Sequence, residues 1–251
     1  MTSKNVTLVD TTDLLETCVA DLASAQLRKD FTLSVDLEGV ELCRSGRVCT
    51  LQITSNHSKV IWIVDVVVLG RIAFEHRTLA GHSLRSILQS GTTKKLFFDV
   101  RNDADALFHL FDIRLANVYD LQLLEVAVRR SHKIYAPVVT GLGKTLEQYI
   151  VPGPPAEWAE VKEIVSALCY PSKGGSYEIL EQRPLDPRLI VYAAQDVALL
   201  SQLHGALEAR IGRKGNDWKG RVARASAARV SEAFGPYAGR TGKHRILAPK
   251  I

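Results

Sequence analysis

FTLSVDLEGV, residues 31–40, sets the architecture expected of this chain. Residues 31–38 alternate in polarity, which predicts a strand with Leu33, Val35 and Leu37 on one face. Asp36 and Glu38 then project together from the opposite face. Two carboxylates this close repel each other, and a divalent cation is their usual compensation. Taken alone, the pair fits a solvent-facing acidic edge better than a metal site.

The segments around this strand predict an α/β domain. A capped helix is expected within the lead-in 1–28, and strands are expected at 48–53 and 60–68, where the apolar run indicates a central strand. Turn residues between the strands indicate an antiparallel meander. Further helices are expected at 83–88, 102–111, 121–128, 145–150 and 158–168, and further strands at 95–98 and 117–119. This order predicts a mixed β-sheet flanked by helices.

A long helix is predicted to begin at Asp186-Pro187 and to run to about residue 211, because Asp caps helices and Pro suits their first turn. Tyr192 and Asp196 are four residues apart on it and therefore share one face. Ile190 and Val197 belong to its apolar face. By itself this pair would indicate no more than a surface hydrogen bond.

Another acidic group lies in KLFFDVRNDADALFHLF, residues 95–111. Asp103 stands near the start of a predicted helix, where the N-terminus favours a carboxylate. Asp99 and Asp105 are alternatives on either side of it. Because Asp99 precedes the helix and Asp105 falls off the face of Asp103 and Leu107, Asp103 is preferred.

Together the three segments resemble the three motifs of the DEDD exonuclease superfamily: VDLEGVELCRSGRVCTLQI, KKLFFDVRNDADALFHLFDIRLANVYDLQ and DPRLIVYAAQDVALLSQL. The Tyr192-to-Asp196 spacing resembles the DEDDy subgroup, which includes RNase D and the Werner exonuclease. The residues of the first two motifs are most similar to those of eukaryotic exonuclease-domain proteins related to Egalitarian. The resemblance covers about residues 10–210.

The resemblance implies a ribonuclease H-like fold and a metal-dependent 3′–5′ exonuclease domain over 1–212. It implies that Asp36, Glu38 and Asp196 hold one divalent ion, and that Asp36 also reaches a second ion near Asp103. Hard ions such as Mg²⁺ or Mn²⁺ prefer carboxylate oxygens. Tyr192 would orient the attacking water, because a phenol with a pKa of about 10 is a poor base at neutral pH.

The same resemblance implies a single-stranded RNA or DNA substrate, with RNA favoured. One departure is Phe98, which stands where RNase D-type motifs have His. Relatives of the Egalitarian type include RNA-binding adaptors that have lost catalytic residues, so a weak or inactive adaptor is the alternative. All five acidic and tyrosine positions are filled here, which favours an enzyme.

Charge is distributed unevenly along the chain. Residues 213–251 contain ten of the 32 Lys and Arg residues but only two of the 27 acids, which leaves residues 1–212 with a net charge of −3. This basic C-terminal tail could bind phosphates. Arg221 and Arg224 would lie on the basic face of a tail helix, and Lys173 could meet a phosphate from a glycine-rich loop.

The remaining features concern the compartment. Cys18, Cys43, Cys49 and Cys169 show no metal-site or CxxC spacing, which predicts free thiols in a reducing environment. No apolar run is long enough for a membrane span, and the N-terminus does not resemble a signal peptide. An intracellular protein, cytoplasmic or nuclear, is therefore expected.

Overall fold

In the computed structural model, which describes residues 4–26, 28–212 and 217–251, a six-stranded sheet carries helices on both faces. The strands are β1 (Asn5–Val9), β2 (Thr32–Val40), β3 (Arg47–Ser55), β4 (Val60–Asp65), β5 (Lys94–Phe97) and β6 (Val118–Asp120). The helices are α1 (Thr12–Ala25), α2 (Val66–Leu69), α3 (Ile72–Glu75), α4 (Leu84–Leu88), α5 (Arg101–Phe111), α6 (Leu121–Ser131), α7 (Leu142–Tyr149), α8 (Ala156–Cys169), α9 (Pro187–Ala198), α10 (Leu200–Arg210), α11 (Trp218–Ser231) and α12 (Lys243–Ile246).

The strands follow the order β1-β4-β3-β2-β5-β6. β2, β3 and β4 form the predicted antiparallel meander, whereas β1 pairs with β4 in parallel and β5 and β6 extend the other side in parallel. The sheet is therefore mixed, as the sequence predicts.

Two hydrophobic clusters lie on opposite faces of the sheet. Leu33, Val35 and Leu37 of β2 pack into one cluster with α1, α4 and α5. Ile61 and Leu96 pack into the other cluster with α6, α9 and α10. Because side chains alternate along β2, Asp36 and Glu38 point to the face that α9 covers.

Two predictions for the strands were wrong. Residues 5–9 form the edge strand β1, which the sequence analysis assigned only to a helix-containing lead-in. The apolar run 60–68 stops being a strand at Asp65, whose side chain accepts a hydrogen bond from the Val68 N–H (3.0 Å) and caps α2. This local cap outweighs the β preference of three consecutive valines.

The predicted helix from 186 to about 211 is interrupted. It consists of α9 and α10, which meet at Leu199 (φ −108°, ψ 1°). Beyond Pro236 the chain includes the short helix α12 and a bridge between Val138 and Leu247. Nothing in the sequence around 199 would have indicated the break.

The C-terminal segment packs against the domain. Val222, Ser226, Arg229 and Val230 form the buried face of α11, which contacts β6 and α6. The predicted domain boundary at 212/213 adjoins residues 213–216, which lie outside the described residues, and it stays a prediction. Residues 218–231 therefore form a helix docked on the domain.

All four cysteines are buried and free, in agreement with the sequence analysis. None of the helices within the described ranges combines the length and apolarity that a bilayer crossing needs.

Candidate metal centre

The strand β2 brings two carboxylates to the centre of the sheet. Asp36 lies opposite Gln52 and Glu38 opposite Thr50 on β3, so both residues sit within regular pairing. The pairing register shifts directly after Glu38, between Glu38 and Gly39. A bulge at this point bends the strand just beyond its second carboxylate.

Gly39 permits this bulge. A Cβ atom at residue 39 would lie 2.0 Å from the carbonyl oxygen of Arg47, far inside van der Waals contact. Only glycine allows the two backbones to approach this closely.

Helix α9 supplies Tyr192 and Asp196. Asp186 caps its N-terminus by accepting a hydrogen bond from the Arg188 N–H (2.8 Å), as predicted. The loop before the helix is tied to the sheet by Arg183, which donates two hydrogen bonds to the buried carboxylate of Asp65 (2.6 and 2.7 Å). These contacts fix where α9 starts and so where its polar face meets β2.

Asp36, Glu38 and Asp196 converge. One carboxylate oxygen from each lies within 4.8 Å of the others, and all three side chains are half-buried. Burial first, and then the charges of the neighbouring acids, raises the pKa of Asp36 and of Glu38 well above the usual carboxylate range. Burial raises the pKa of Asp196 to about 7. A divalent cation would compensate both the burial of these carboxylates and the repulsion between them. This oxygen-only donor set therefore fits a hard ion.

Asp103 lies beside this cluster on the first turn of α5. It is 5% exposed, and burial raises its pKa to about 8. Its charge is the strongest neighbouring contribution to the raised pKa of Asp36. The backbone N–H of Leu37 lies close enough to lower the pKa of both Asp36 and Asp103. Asp103 is thus near Asp36 but outside the three-residue cluster.

The two alternatives to Asp103 are engaged elsewhere. Asp99 accepts two hydrogen bonds from Arg101 (2.6 Å each). Although burial opposes it, this pairing lowers the pKa of Asp99. Asp105 accepts three hydrogen bonds from Arg44 (2.6–3.0 Å). Within the described ranges no arginine or lysine pairs with Asp103, so it alone of the three carboxylates is left for a metal.

Tyr192 adjoins the cluster from α9. Burial, followed by the charges of Glu38 and Asp196, raises the pKa of its phenol far above the ordinary value. The phenol therefore stays protonated and can donate or accept a hydrogen bond. Tyr170 lies beside it.

Lys162 is a residue that the sequence analysis missed. It lies on α8, and its charge lowers the pKa of Glu38 and of Asp196 against the larger effect of burial. A cavity of about 380 Å³ between α7, α8 and α9 is lined by Lys162, Trp158, Tyr192 and Asp196. A lone lysine on a helix carries no spacing signal, so only the fold brings it to the carboxylates.

The three candidate nucleic-acid contacts are held by other groups. Lys173 pairs with Glu163 (3.0 Å), and Arg224 lies 3.4 Å from Asp217. Arg221 stacks over the Trp218 ring at 5.1 Å. None of the contacts found within residues 4–26, 28–212 and 217–251 joins them to the carboxylate cluster, and their role in binding nucleic acid stays a prediction.

Comparison with known proteins gives consistent matches. A family model described as 3′–5′ exonuclease matches residues 6–212. The piRNA biogenesis protein EXD1 of Mus musculus is 34% identical over 104 residues, which are 41% of this chain and 17% of that protein. The chain thus spans less than a fifth of that relative.

Two solved structures from Trypanosoma brucei share the fold. The RNase D:GMP complex superposes with a TM-score of 0.73 at 23% identity, covering 96% of this chain and 68% of that one. RNase D in complex with RNA U12 gives a TM-score of 0.69 at 22% identity, with coverages of 95% and 74%. These matches confirm the predicted ribonuclease H-like fold.

Proposed function

The chain belongs to the 3′–5′ exonuclease family, and we propose that it hydrolyses phosphodiester bonds from the 3′ end of single-stranded nucleic acid. The products would be nucleoside 5′-monophosphates. The observation that carries this proposal is the convergence of Asp36, Glu38 and Asp196 next to Asp103. The reaction would depend on two divalent ions, Mg²⁺ or Mn²⁺.

The carboxylates divide between two ion positions. Asp36, Glu38 and Asp196 would hold one ion, and Asp36 with Asp103 would hold the second, because Asp36 belongs to the cluster and is also close to Asp103. Bound divalent ions supply an acidified water and stabilise the charge that develops on the phosphate and leaving oxygens. The raised pKa values mean that protons compete with metal, so ion binding releases protons.

Other residues act on water and substrate. Tyr192 would orient the attacking water through its neutral hydroxyl group, which the raised phenol pKa supports. Lys162 is close enough to the cluster for its charge to lower the pKa of Glu38 and of Asp196. It could contact a substrate phosphate. The cavity beside it is open to a nucleotide-sized group.

RNA is the favoured substrate. One structural relative was solved with RNA U12 and another with GMP, and the curated relative is named for piRNA biogenesis. An intracellular location, cytoplasmic or nuclear, is proposed from the four free cysteines, which suit a reducing compartment.

The test uses matched RNA and DNA oligonucleotides with Mg²⁺ or Mn²⁺. A 5′ label should show progressive shortening, whereas a 3′ label should appear at once as a mononucleotide. Asp36→Asn and Asp196→Asn should each lower the rate on the order of 100-fold or more, because each removes a metal ligand. Asp13→Asn, an exposed acid on α1, is the control and should keep full activity.

Two results would overturn the proposal. The first is the absence of shortening with either metal, and RNA binding without cleavage would then identify a non-catalytic adaptor. The second is equal cleavage by the Asp36→Asn variant and the unmodified chain.

A further inference from the structure

Helix α11 places an arginine in the interior of the domain. Arg229 is a cation whose side chain is only 4% exposed, and it lies beyond residues 6–212, the range matched by the exonuclease family. Its Nη1 atom donates a 2.7 Å hydrogen bond to Oδ2 of Asp120. A buried cation requires a partner, and Asp120 at the end of β6 is that partner.

The carboxylate of Asp120 also holds the backbone turn that leads into α5. Its Oδ1 atom accepts the backbone N–H of Asp99 (3.0 Å), and its Oδ2 atom accepts the backbone N–H of Val100 (3.2 Å). The Asp120 N–H donates to the hydroxyl oxygen of Ser226 on α11 (2.9 Å). Two residues of α11 therefore contact the residue that holds this turn.

The turn has an unusual backbone. Asp99 adopts φ +68°, in the left-handed region that L-residues other than Asn and Asp rarely enter. Its carboxylate contacts Arg101 at 2.6 Å and Arg229 at 3.5 Å. Val100 is the N-cap of α5, and its carbonyl oxygen accepts the Ala104 N–H (2.8 Å). Asp103 lies on this first turn, so its position follows from that of residues 99 and 100.

We propose that Arg229 is a positioning residue for Asp103, so that the C-terminal helix α11 completes the metal centre. This inference rests on the proposed function. Without Arg229, the buried carboxylate of Asp120 faces Asp99 with less compensating charge. The turn can then relax from its left-handed conformation, and Asp103 moves with it. Displacements well under 1 Å suffice to weaken a metal ligand set.

The experiment compares Arg229→Met and Arg229→Lys with Val222→Ala. Val222 is a fully buried apolar residue of the same helix, so its truncation destabilises α11 without touching the Asp120 contacts. Mn²⁺ affinity is measured by calorimetry on each full chain. Arg229→Met should weaken Mn²⁺ binding about 10- to 100-fold, the effect typical of residues that support metal ligands. Arg229→Lys should weaken it less, and Val222→Ala should leave it unchanged.

Hydrogen exchange over residues 98–108 supplies a readout that needs no metal. Arg229→Met should accelerate exchange at the start of α5 more than Val222→Ala does. If the unmodified chain binds no Mn²⁺, the proposed function fails, while the exchange result still decides whether Arg229 holds the turn. If Arg229→Met does not fold, Arg229→Lys decides. Unchanged Mn²⁺ affinity and exchange in a folded Arg229 variant, or equal changes in Val222→Ala, would overturn the proposal.

Discussion

Tyr192 shows how the environment of one residue limits its chemistry. Its side chain is half-buried and close to Glu38 and Asp196, so the phenolate form is disfavoured and the pKa rises far above the usual value. A phenol that stays protonated cannot remove a proton from water. It can still hold a water by a hydrogen bond.

Tyr192→Phe should therefore lower kcat about 10- to 100-fold, the scale expected when a reacting group loses its orientation. Mn²⁺ affinity should stay unchanged, because the hydroxyl group is not assigned as a ligand. The pH dependence of kcat should keep its shape. Steady-state kinetics from pH 6 to pH 9 check this, and loss of one limb of the profile in the variant would assign Tyr192 to proton transfer instead.

For four of the five motif residues, the sequence predicts which side chains lie next to each other, because the two members of each pair share one strand or one helix. Asp36 with Glu38, and Tyr192 with Asp196, follow from the periods of a strand and of a helix. Asp103 is harder to identify, because only its position on the predicted helix distinguishes it from Asp99 and Asp105. Asp105 pairs with Arg44, which lies 61 residues before it in the sequence. Such long-range pairing leaves no local signal in a single sequence.

At the scale of elements, β2 contains a bulge directly beside the site. The bulge follows Glu38 directly, and the Arg47 carbonyl oxygen occupies the space that a side chain at residue 39 would need.

Gly39→Ala should destabilise the protein by about 2–3 kcal/mol, because the added methyl group must displace backbone. Gly205→Ala is the matched control, since a Cβ there meets nothing within 4 Å and residue 205 lies inside α10. Removing a helical glycine should stabilise the protein by about 0.5–1 kcal/mol. Urea unfolding of both variants measures the difference. A Gly39→Ala variant as stable as the unmodified chain would contradict the described bulge.

The errors in predicting elements have physical causes. β1 is a five-residue edge strand whose pairing partner β4 lies some 55 residues later. Its strand conformation is stabilised by hydrogen bonds to β4, which the local sequence does not indicate. The end of β4 was missed because Asp65 acts at once as a helix cap and as the partner of Arg183. β1 thus depends on a tertiary contact, whereas β4 ends at a local cap whose carboxylate also has a tertiary partner, Arg183.

At the scale of the whole molecule, the fold brings three separate parts of the chain to one site. β2 supplies two carboxylates and α5 and α9 one each, while α11 packs against β6, α6 and α5. The basic surplus of the C-terminal segment suggested a phosphate-binding arm. That role stays a prediction, and the buried face of the segment places Arg229 against Asp120, a role that net charge could not indicate.

The central claim is that these four carboxylates form a two-ion centre. Anomalous diffraction from a crystal soaked in Mn²⁺ tests it most directly. The account predicts one peak bound by Asp36, Glu38 and Asp196 and a second peak between Asp36 and Asp103. No Mn²⁺ at these carboxylates, or ions bound to Asp99 or Asp105 in place of Asp103, would contradict it.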